Sequence, residues 1–580
     1  MNSLLVANRG EIAVRVIRSA RELGMRTIAV YSELDRDALH VHLADEAWNI
    51  GGAPAAESYL NAARILEVAR EAGAEAIHPG YGFLAENASF ARMVNDSGIT
   101  WVGPPPRAIE LMGDKILSRR TAEAAGVAPV PGTTDPVETF AEAARIAAGI
   151  GYPVAVKAAH GGGGKGLRVA TRRKQLAAAI EGARREADAY FGSGVVYLEA
   201  YMEKTRHIEA QIILDHHGNR RFLGERDCSV QRRHQKLIEE APAAALTDDA
   251  RRSLGEAALA IADECGYVNA GTVEFLFNPD GSFYFLEMNT RLQVEHTVTE
   301  MVTGVDLVAE QLAVAKGEPL SFEHLPVRGH AIELRINAED PGNQFRPTPG
   351  TVTEYQEPGG PGVRVDSWMA PGTTVSQYYD NLMAKLVVWG RTRPEAIARA
   401  KRALDEYRVA GVATTIPAHR AVLSHPTFEA GEVHTRFVET ELSLDPEPFD
   451  RGDALPSEAA KTRHAMTVEV GGRRFDVTYW VPDIPAPAGG DRPSRKPPKR
   501  RTATGQFSTE PGMVVSPMQG TIVKVSVKAG DRVNANQQIC VLEAMKMENE
   551  ITSPIAGELI ELRVQPGDTV RNNELLAIVR

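Results

Sequence analysis

The last seventy residues carry one pattern twice. "SPMQGTIVKVSVKAGDRVNANQQICVLEA" is followed, 37 positions on, by "SPIAGELIELRVQPGDTVRNNELLAIV". Ser516-Pro517 aligns with Ser553-Pro554, Gly520 with Gly557, Gly530-Asp531 with Gly567-Asp568, and Val533 with Val570. Such a duplication of short strands and Gly-Asp turns predicts a small, quasi-symmetric β sandwich made of two half-units. Lys546, in "VLEAMKMENEI", falls between the halves, where a hairpin is expected to join them. An unpaired ammonium in the interior would be costly, so this lysine is expected to stand out at the turn, open to a ligase.

The whole chain of 580 residues, 43% hydrophobic and 24% charged, is long enough for about four domains with sizeable cores. Its net charge of −11, with Lys and Arg spread along most of the chain, gives no electrostatic reason to expect nucleic acid. Cys228, Cys265 and Cys540 lie far apart without CxxC spacing, which argues against a disulfide framework or a zinc knuckle and for a reducing compartment. "MNSLLVANRGEIA" lacks a basic n-region and a long apolar core, and no apolar run of about 18 residues occurs, so a cytoplasmic protein without a membrane span is expected.

The opening stretch, "SLLVANRGEIAVRVIRSARELGMRTIAVYSELD", reads as a βαβ unit, but without the GxGxxG turn of a nicotinamide site. "AEAIHPGYGFLAEN" and "ITWVGPPP" bring further strands to Gly/Pro turns, where such sheets usually bind ligands. Further on, "YPVAVKAAHGGGGKGLRVA" sets a strand carrying Lys157 before Gly161, Gly162, Gly163 and Gly164, then Lys165 and Gly166. A glycine run of this kind suits close backbone approach to a polyphosphate, although it is not GxxxxGK[ST] and so not a P-loop. In "GTVEFLFNPDGSFYFLEMNTRLQVEHTVTE" two apolar runs flank Asn-Pro-Asp-Gly. If the loop takes an even number of residues, Glu274 and Glu287 project from one face, and a divalent cation, Mg²⁺ or Mn²⁺, would relieve their repulsion. Asn289 could add an oxygen. Arg291, Gln293 and Glu295 follow at spacing two, an alternation that would aim an anion binder, a hydrogen-bonding amide and a general base into one pocket.

ANRGEIA, HPGYGFLAEN, GGGGKG, RDCSVQRRHQK, FLEMNTRLQVEH and RINAED, in this order over roughly residues 1–445, resemble biotin carboxylase, an ATP-grasp enzyme. EAMKM resembles the attachment site of a biotin carboxyl carrier domain; lipoyl domains share its architecture, but their lysine usually lies in a DKA-type context. Together the motifs are similar to the α subunits of acyl-CoA carboxylases of the acetyl/propionyl-CoA kind found in actinobacteria.

The resemblance implies roles for matching residues. Lys115, Lys157 and the glycine loop would hold ATP phosphates, and Glu199, Met202 and His207 would line the adenine and ribose site with Gln231 and His234 nearby. Glu274, Glu287 and Asn289 would bind the metal ions. Arg291, Gln293 and Val294 would hold bicarbonate beside Lys236, while Glu295 removes its proton for attack on the γ-phosphate to give carboxyphosphate. In the family that species yields CO₂ and phosphate, the phosphate takes the N1′ proton of biotin, and Arg335 stabilises the resulting enolate. Ala200 departs from the lysine that family members often carry at the nucleotide hinge.

The expected fold is α/β and α+β, in several domains. An N-terminal α/β domain (1–113) precedes an ATP-grasp domain (114–330, lid about 130–205) and a C-terminal mixed domain (331–445). A short β segment (446–482) for docking on a partner, a Pro-rich basic linker (483–510) and the all-β biotinyl sandwich (511–580) follow. As a coil the linker spans on the order of 30 Å, or roughly 80 Å if polyproline-like. No stretch could form a carboxyltransferase. The expected partners are therefore a separate carboxyltransferase β subunit, which alone meets acyl-CoA, and a biotin protein ligase acting at Lys546, within a large α/β hetero-oligomer. Two other readings stay open: an ATP-grasp ligase for another acid and acceptor, and a non-catalytic carrier with a relic nucleotide site.

Overall fold

Ser3–Val6, the helix Gly10–Glu22 and Arg26–Ser32 form the opening βαβ unit, its strands parallel with Leu4 opposite Thr27. The helix forms because Ile12, Ala13, Val16, Ile17 and Ala20 recur at helical spacing, and all five are buried. A parallel sheet results, in the order Glu46–Gly51, Arg26–Ser32, Ser3–Val6, Ala76–His78, Thr100–Trp101. Two of the sequence motifs interlock just past the ends of two inner strands, Ser3–Val6 and Ala76–His78. The Asn8 amide donates to the carbonyls of Pro79 (2.7 Å) and Tyr81 (2.8 Å). Gly80 lies between them at φ +63°, where a Cβ would come 2.8 Å from Asn8 Nδ2, so only glycine lets the two loops approach.

This computed structural model describes residues 1–159, 167–191, 193–445, 449, 461–470, 473–482, 512–517, 520–544, 547–571 and 574–580. Gly161, Gly162, Gly163, Gly164, Lys165, Gly166, Lys546 and the linker 483–510 lie outside the described residues. Among the described residues no helix is long and apolar enough to cross a membrane. The chain divides into two units, Met1–Asp450 and Arg451–Arg580.

The first unit is organised around an eight-stranded sheet, all of whose neighbours are antiparallel. Its order is Phe283–Asn289, Asn269–Phe277, Arg206–Leu214, Arg220–Arg232, Gln235–Ala241, His330–Asn337, Leu382–Gly390, Val363–Ser367. Because Gln235–Ala241 pairs with His330–Asn337, the sheet runs unbroken past residue 330, where one domain was expected to give way to the next. A separate three-stranded sheet, Arg168–Ala170, Val154–Ala158, Val196–Ala200, falls in the expected lid segment. Leu176, Ala179, Ile180 and Ala183, one face of the helix Arg173–Phe191, pack on its Val154, Val156 and Val196. Before it, Asp114 caps the helix Lys115–Ala124 by accepting from the Ile116 and Leu117 amides, contributing about 1 kcal/mol and setting Lys115 in the first turn.

In the second unit the duplicated sequence becomes duplicated structure. One sheet runs Met513–Val515, Leu575–Val579, Gly557–Leu562, Arg532–Val533, and the other Met547–Thr552, Gln538–Ala544, Gly520–Val525, Thr569–Val570. Each sheet mixes strands from both halves, in equivalent positions. Their hydrogen bonds repeat as well: the Lys528 amide donates to Asp531 at 2.7 Å and the Gln565 amide to Asp568 at 2.8 Å. The Gly530 amide reaches the Leu559 carbonyl at 2.8 Å, and the Gly567 amide the Ile522 carbonyl at 2.7 Å. Ile522, Leu542, Leu559 and Val579 are among the buried side chains that fill the space between the sheets. The strands Gln538–Ala544 and Met547–Thr552 flank Lys546 and pair down to Ala544 opposite Met547. Residues 461–470 and 473–482 form an antiparallel hairpin of their own.

Candidate active site

Four adjacent strands set one row of charge. Glu287 lies opposite Glu274, Glu274 opposite Glu209, and Glu209 opposite Arg226. The hairpin carrying the first pair corrects the sequence reading, since its strands are separated by five residues, Asn278 to Ser282, rather than an even number. Counting back from Phe277 and Phe283, Glu274 would then oppose Leu286. A β-bulge between the pairs formed by Phe275 and Glu274 takes up Leu286 and returns Glu287 to the position opposite Glu274.

Three carboxylates at strand spacing would repel without cations between them. Lys236 Nζ lies 3.2 Å from Glu274 and 2.7 Å from Glu295, and bonds Glu209 as well. His207 Nε2 is 2.8 Å from Glu274, and Lys115 Nζ is 2.9 Å from Glu287. Burial disfavours the charge on Lys236, but Glu209, Glu274 and Glu295 outweigh it and hold the ammonium well above its ordinary pKa. Burial likewise raises the Glu274 carboxyl, yet Lys236 and His207 overcome this and hold it well below the usual range. Glu287 is lowered chiefly by Lys115. Two opposed, ionised carboxylates are what a hard divalent cation requires, so Glu274 and Glu287 fit Mg²⁺ or Mn²⁺. The Asn289 side chain sits between them and the next turn, its Nδ2 donating to Glu274 (2.7 Å) and its Oδ1 accepting from Arg291 (2.9 Å).

The expected alternation of Arg291, Gln293 and Glu295 is not what brings them together. The strand ends at Asn289, the chain turns, and Glu295 is the residue before the helix His296–Thr303. Glu295, 2% exposed, reaches Lys236 with one oxygen and Arg335 with the other, the latter at 2.9 Å. Burial raises its carboxyl, but Lys236, Arg335 and Arg226 prevail and keep it well below the ordinary value. Gln293 instead faces the row, donating to Glu274 at 2.9 Å and accepting from Arg226 at 2.5 Å. Arg291 pairs with Glu86 of the HPGYGFLAEN loop at 3.1 Å, and the Thr290 amide donates to the same carboxylate at 3.1 Å. Arg335 also bonds Glu239, whose carboxyl burial pushes up to about 8 despite that arginine.

The nucleotide candidates lie beside this network. Lys157 and Glu199 lie on paired strands two positions out of register, Lys157 opposite Tyr197 and Glu199 opposite Ala155, and form an ion pair, with Arg119 3.4 Å from the same carboxylate. Met202 is half-buried just past the strand that ends at Ala200. Gln231 sits opposite Lys236, and His234 stands exposed at the hairpin tip at φ +68°. His207, expected in the adenine and ribose site with Glu199 and Met202, bonds Glu274 of the carboxylate row through Nε2.

Sequence reasoning missed Glu209, Arg226 and Glu239. "RHIEAQII" did carry a signal, since His207, Glu209 and Gln211 recur at period two in an otherwise apolar strand. Arg226, with no side-chain exposure, donates to Gln211 (2.8 Å), Thr299 (2.9 Å) and Thr272 (3.1 Å) and pairs with Glu209 at 3.3 Å. Arg226→Met leaves the buried Gln211, Thr272, Thr299 and Gln293 without that donor and leaves Glu209 with Lys236 as its cation. It is expected to destabilise the first unit by about 1–3 kcal/mol, the cost of buried polar groups left unsatisfied, seen as a lower midpoint for the unfolding of that unit.

Comparison with known proteins matches these segments in turn. Residues 1–109 match the biotin carboxylase N-terminal domain, 114–323 the ATP-binding domain of the carbamoyl-phosphate synthase L chain, and 333–440 the biotin carboxylase C-terminal domain. Residues 512–579 match the domain described as "Biotin-requiring enzyme". The chain is 50% identical over 561 residues to a biotin-dependent acyl-coenzyme A carboxylase alpha3 subunit of Mycobacterium leprae, covering 95% of this chain and 94% of that one. It is 52% identical over 443 residues to biotin carboxylase 1 of Bacillus subtilis, 76% of this chain and 98% of that one. Among solved structures, the biotin carboxylase domain of Hydrogenobacter thermophilus 2-oxoglutarate carboxylase, in complex with MgADP, ADP and bicarbonate, superposes with a TM-score of 0.74 at 48% identity. That match covers 76% of this chain and 97% of the other. The carboxylate row on an ATP-grasp sheet, the duplicated sandwich around EAMKM and these identities agree: the chain belongs to the biotin-dependent acyl-CoA carboxylase α subunits, ligases that join a biotin carboxylase to a biotin carrier domain.

Proposed function

We propose that this chain uses ATP and bicarbonate to carboxylate biotin held on its own Lys546, and passes the carboxyl group through a separate carboxyltransferase β subunit to acetyl-CoA, propionyl-CoA or both. The observation that carries the chemistry is Glu295, buried between Lys236 at 2.7 Å and Arg335 at 2.9 Å, beside the Glu274–Glu287 pair.

Paired with Lys236 and Arg335, Glu295 is a weak base, because the two cations stabilise its charge. Bicarbonate is an anion, and Arg291, Gln293 and the Val294 backbone would bind it beside Lys236. Once Lys236 turns part of its charge toward bicarbonate, Glu295 loses stabilisation and its basicity rises toward the range useful at neutral pH. Glu295 then takes the bicarbonate proton as the oxygen attacks the γ-phosphorus. The bond to the β–γ bridging oxygen breaks, giving ADP and carboxyphosphate. Lys115, Lys157 and the 161–166 glycine segment would surround the phosphate oxygens, and Glu199, Met202, His207, Gln231 and His234 would position the nucleoside. A Mg²⁺ or Mn²⁺ ion held by Glu274, Glu287 and Asn289 would neutralise phosphate charge. Biotin supplies the acceptor nitrogen, and Arg335 is placed to hold negative charge that develops on the acceptor.

These roles predict ADP release that depends on bicarbonate and on a divalent cation and is lost on chelation. Glu287→Gln, which keeps the shape but removes a ligand charge, is expected to raise the Mg²⁺ concentration for half-maximal rate about tenfold or more. An unchanged Mg²⁺ dependence would remove Glu287 from the metal site. The substrate is tested by assembling the chain with its native β subunit and assaying a series of acyl-CoA chain lengths; a chain that carboxylates acyl-CoA alone at a normal rate would refute the separate subunit. The protein would act in the cytoplasm, in a large α/β assembly, with biotin protein ligase as its modifying partner.

A further inference from the structure

Lys385 has no exposed side-chain surface. It lies in the strand Leu382–Gly390, opposite Arg335 and Asp366 of the two flanking strands, while Val387, the next residue on its face, is apolar and buried. An apolar residue would fill this place without the several kcal/mol it takes to desolvate an ammonium. The ammonium is nonetheless engaged: Nζ donates to the Val294 carbonyl at 2.9 Å, and lies 3.2 Å from Glu11 and 4.0 Å from Asp366. Glu11, from the ANRGEIA motif, also accepts from the Tyr81 hydroxyl of the HPGYG loop. Asp366 is tied to Arg364 at 2.7 Å.

The turn from Thr290 to Glu295 is therefore held at both ends by groups distant in sequence. Glu86 grips Thr290 and Arg291 at one end, and Lys385 grips Val294 at the other. We propose that Lys385 is a positioning residue for bicarbonate, its ammonium fixing the Val294 carbonyl and through it the turn that carries Arg291, Gln293 and Glu295. This inference rests on the reading of that turn as the bicarbonate site. It also gives the ANRGEIA motif a task in the reaction, as the source of the carboxylate that balances the lysine.

The test is ADP release by the full chain with ATP, Mg²⁺ and free biotin, with bicarbonate varied. Lys385→Met removes the clamp. Lys385→Met with Glu11→Gln removes it without leaving Glu11 as an unpaired charge, so a folded protein is available even if the single variant is not. Both are expected to raise the bicarbonate KM about tenfold or more while the ATP KM stays within about twofold, a split that general destabilisation would not produce. A wild-type bicarbonate KM in either folded variant, or an equal fall in rate with both KM values unchanged, overturns the inference. Wild-type ADP release that ignores bicarbonate would overturn the functional reading itself and this inference with it.

Discussion

Glu295→Ala is expected to lower bicarbonate-dependent ADP release by about 10²- to 10⁴-fold, the range for removal of a positioned general base. The protein should survive the change. Lys236 keeps Glu209 and Glu274 as partners, and Arg335 keeps Glu239, so no cation is stranded. Nucleotide affinity should change little, because Lys115, Lys157 and Glu199 lie on other elements. Equilibrium binding of ATP and steady-state ADP release separate the two effects. Retention of more than about a tenth of the rate would assign the proton transfer to another group.

Lys546→Ala is expected to abolish covalent biotin and, with it, all carboxyl transfer to acyl-CoA in the assembled enzyme. Carboxylation of free biotin should continue at the wild-type rate, because the candidate catalytic residues all lie within Met1–Asp450. Intact mass reads the first effect and labelled bicarbonate the other two. Transfer that persists in the variant would mean that the carrier lysine lies elsewhere.

How far the sequence exposes these features depends on the distance over which each is encoded. The two-sheet fold of the carrier is legible because repeated residues impose repeated hydrogen bonds, as at the Asp531 and Asp568 carboxylates. Glu274 and Glu287 are legible because a hairpin joins neighbours in sequence, but the bulge at Leu286 that aligns them is not, since it depends on loop length. Arg291, Gln293 and Glu295 do lie near one another, but for a different reason from the one their spacing suggests: the chain leaves the sheet at Asn289 and Glu295 heads a helix. Arg226 and Lys385 were hidden. Their partners Gln293 and Val294 are 67 and 91 residues away, and only the register of the large sheet and the packing of the turn against it brings them together. A buried charge reads in sequence as an interruption of an apolar run, and its meaning appears only with its counter-charge.

The central claim, that one chain both activates bicarbonate and carries the acceptor, is tested most directly by incubating the biotinylated full-length protein with ATP, Mg²⁺ and isotopically labelled bicarbonate, then locating the label by peptide mapping. The expected result is ATP-dependent label on the peptide containing Lys546, absent from Glu295→Ala and from Lys546→Ala. ADP release that proceeds with bicarbonate while that peptide stays unlabelled would contradict it.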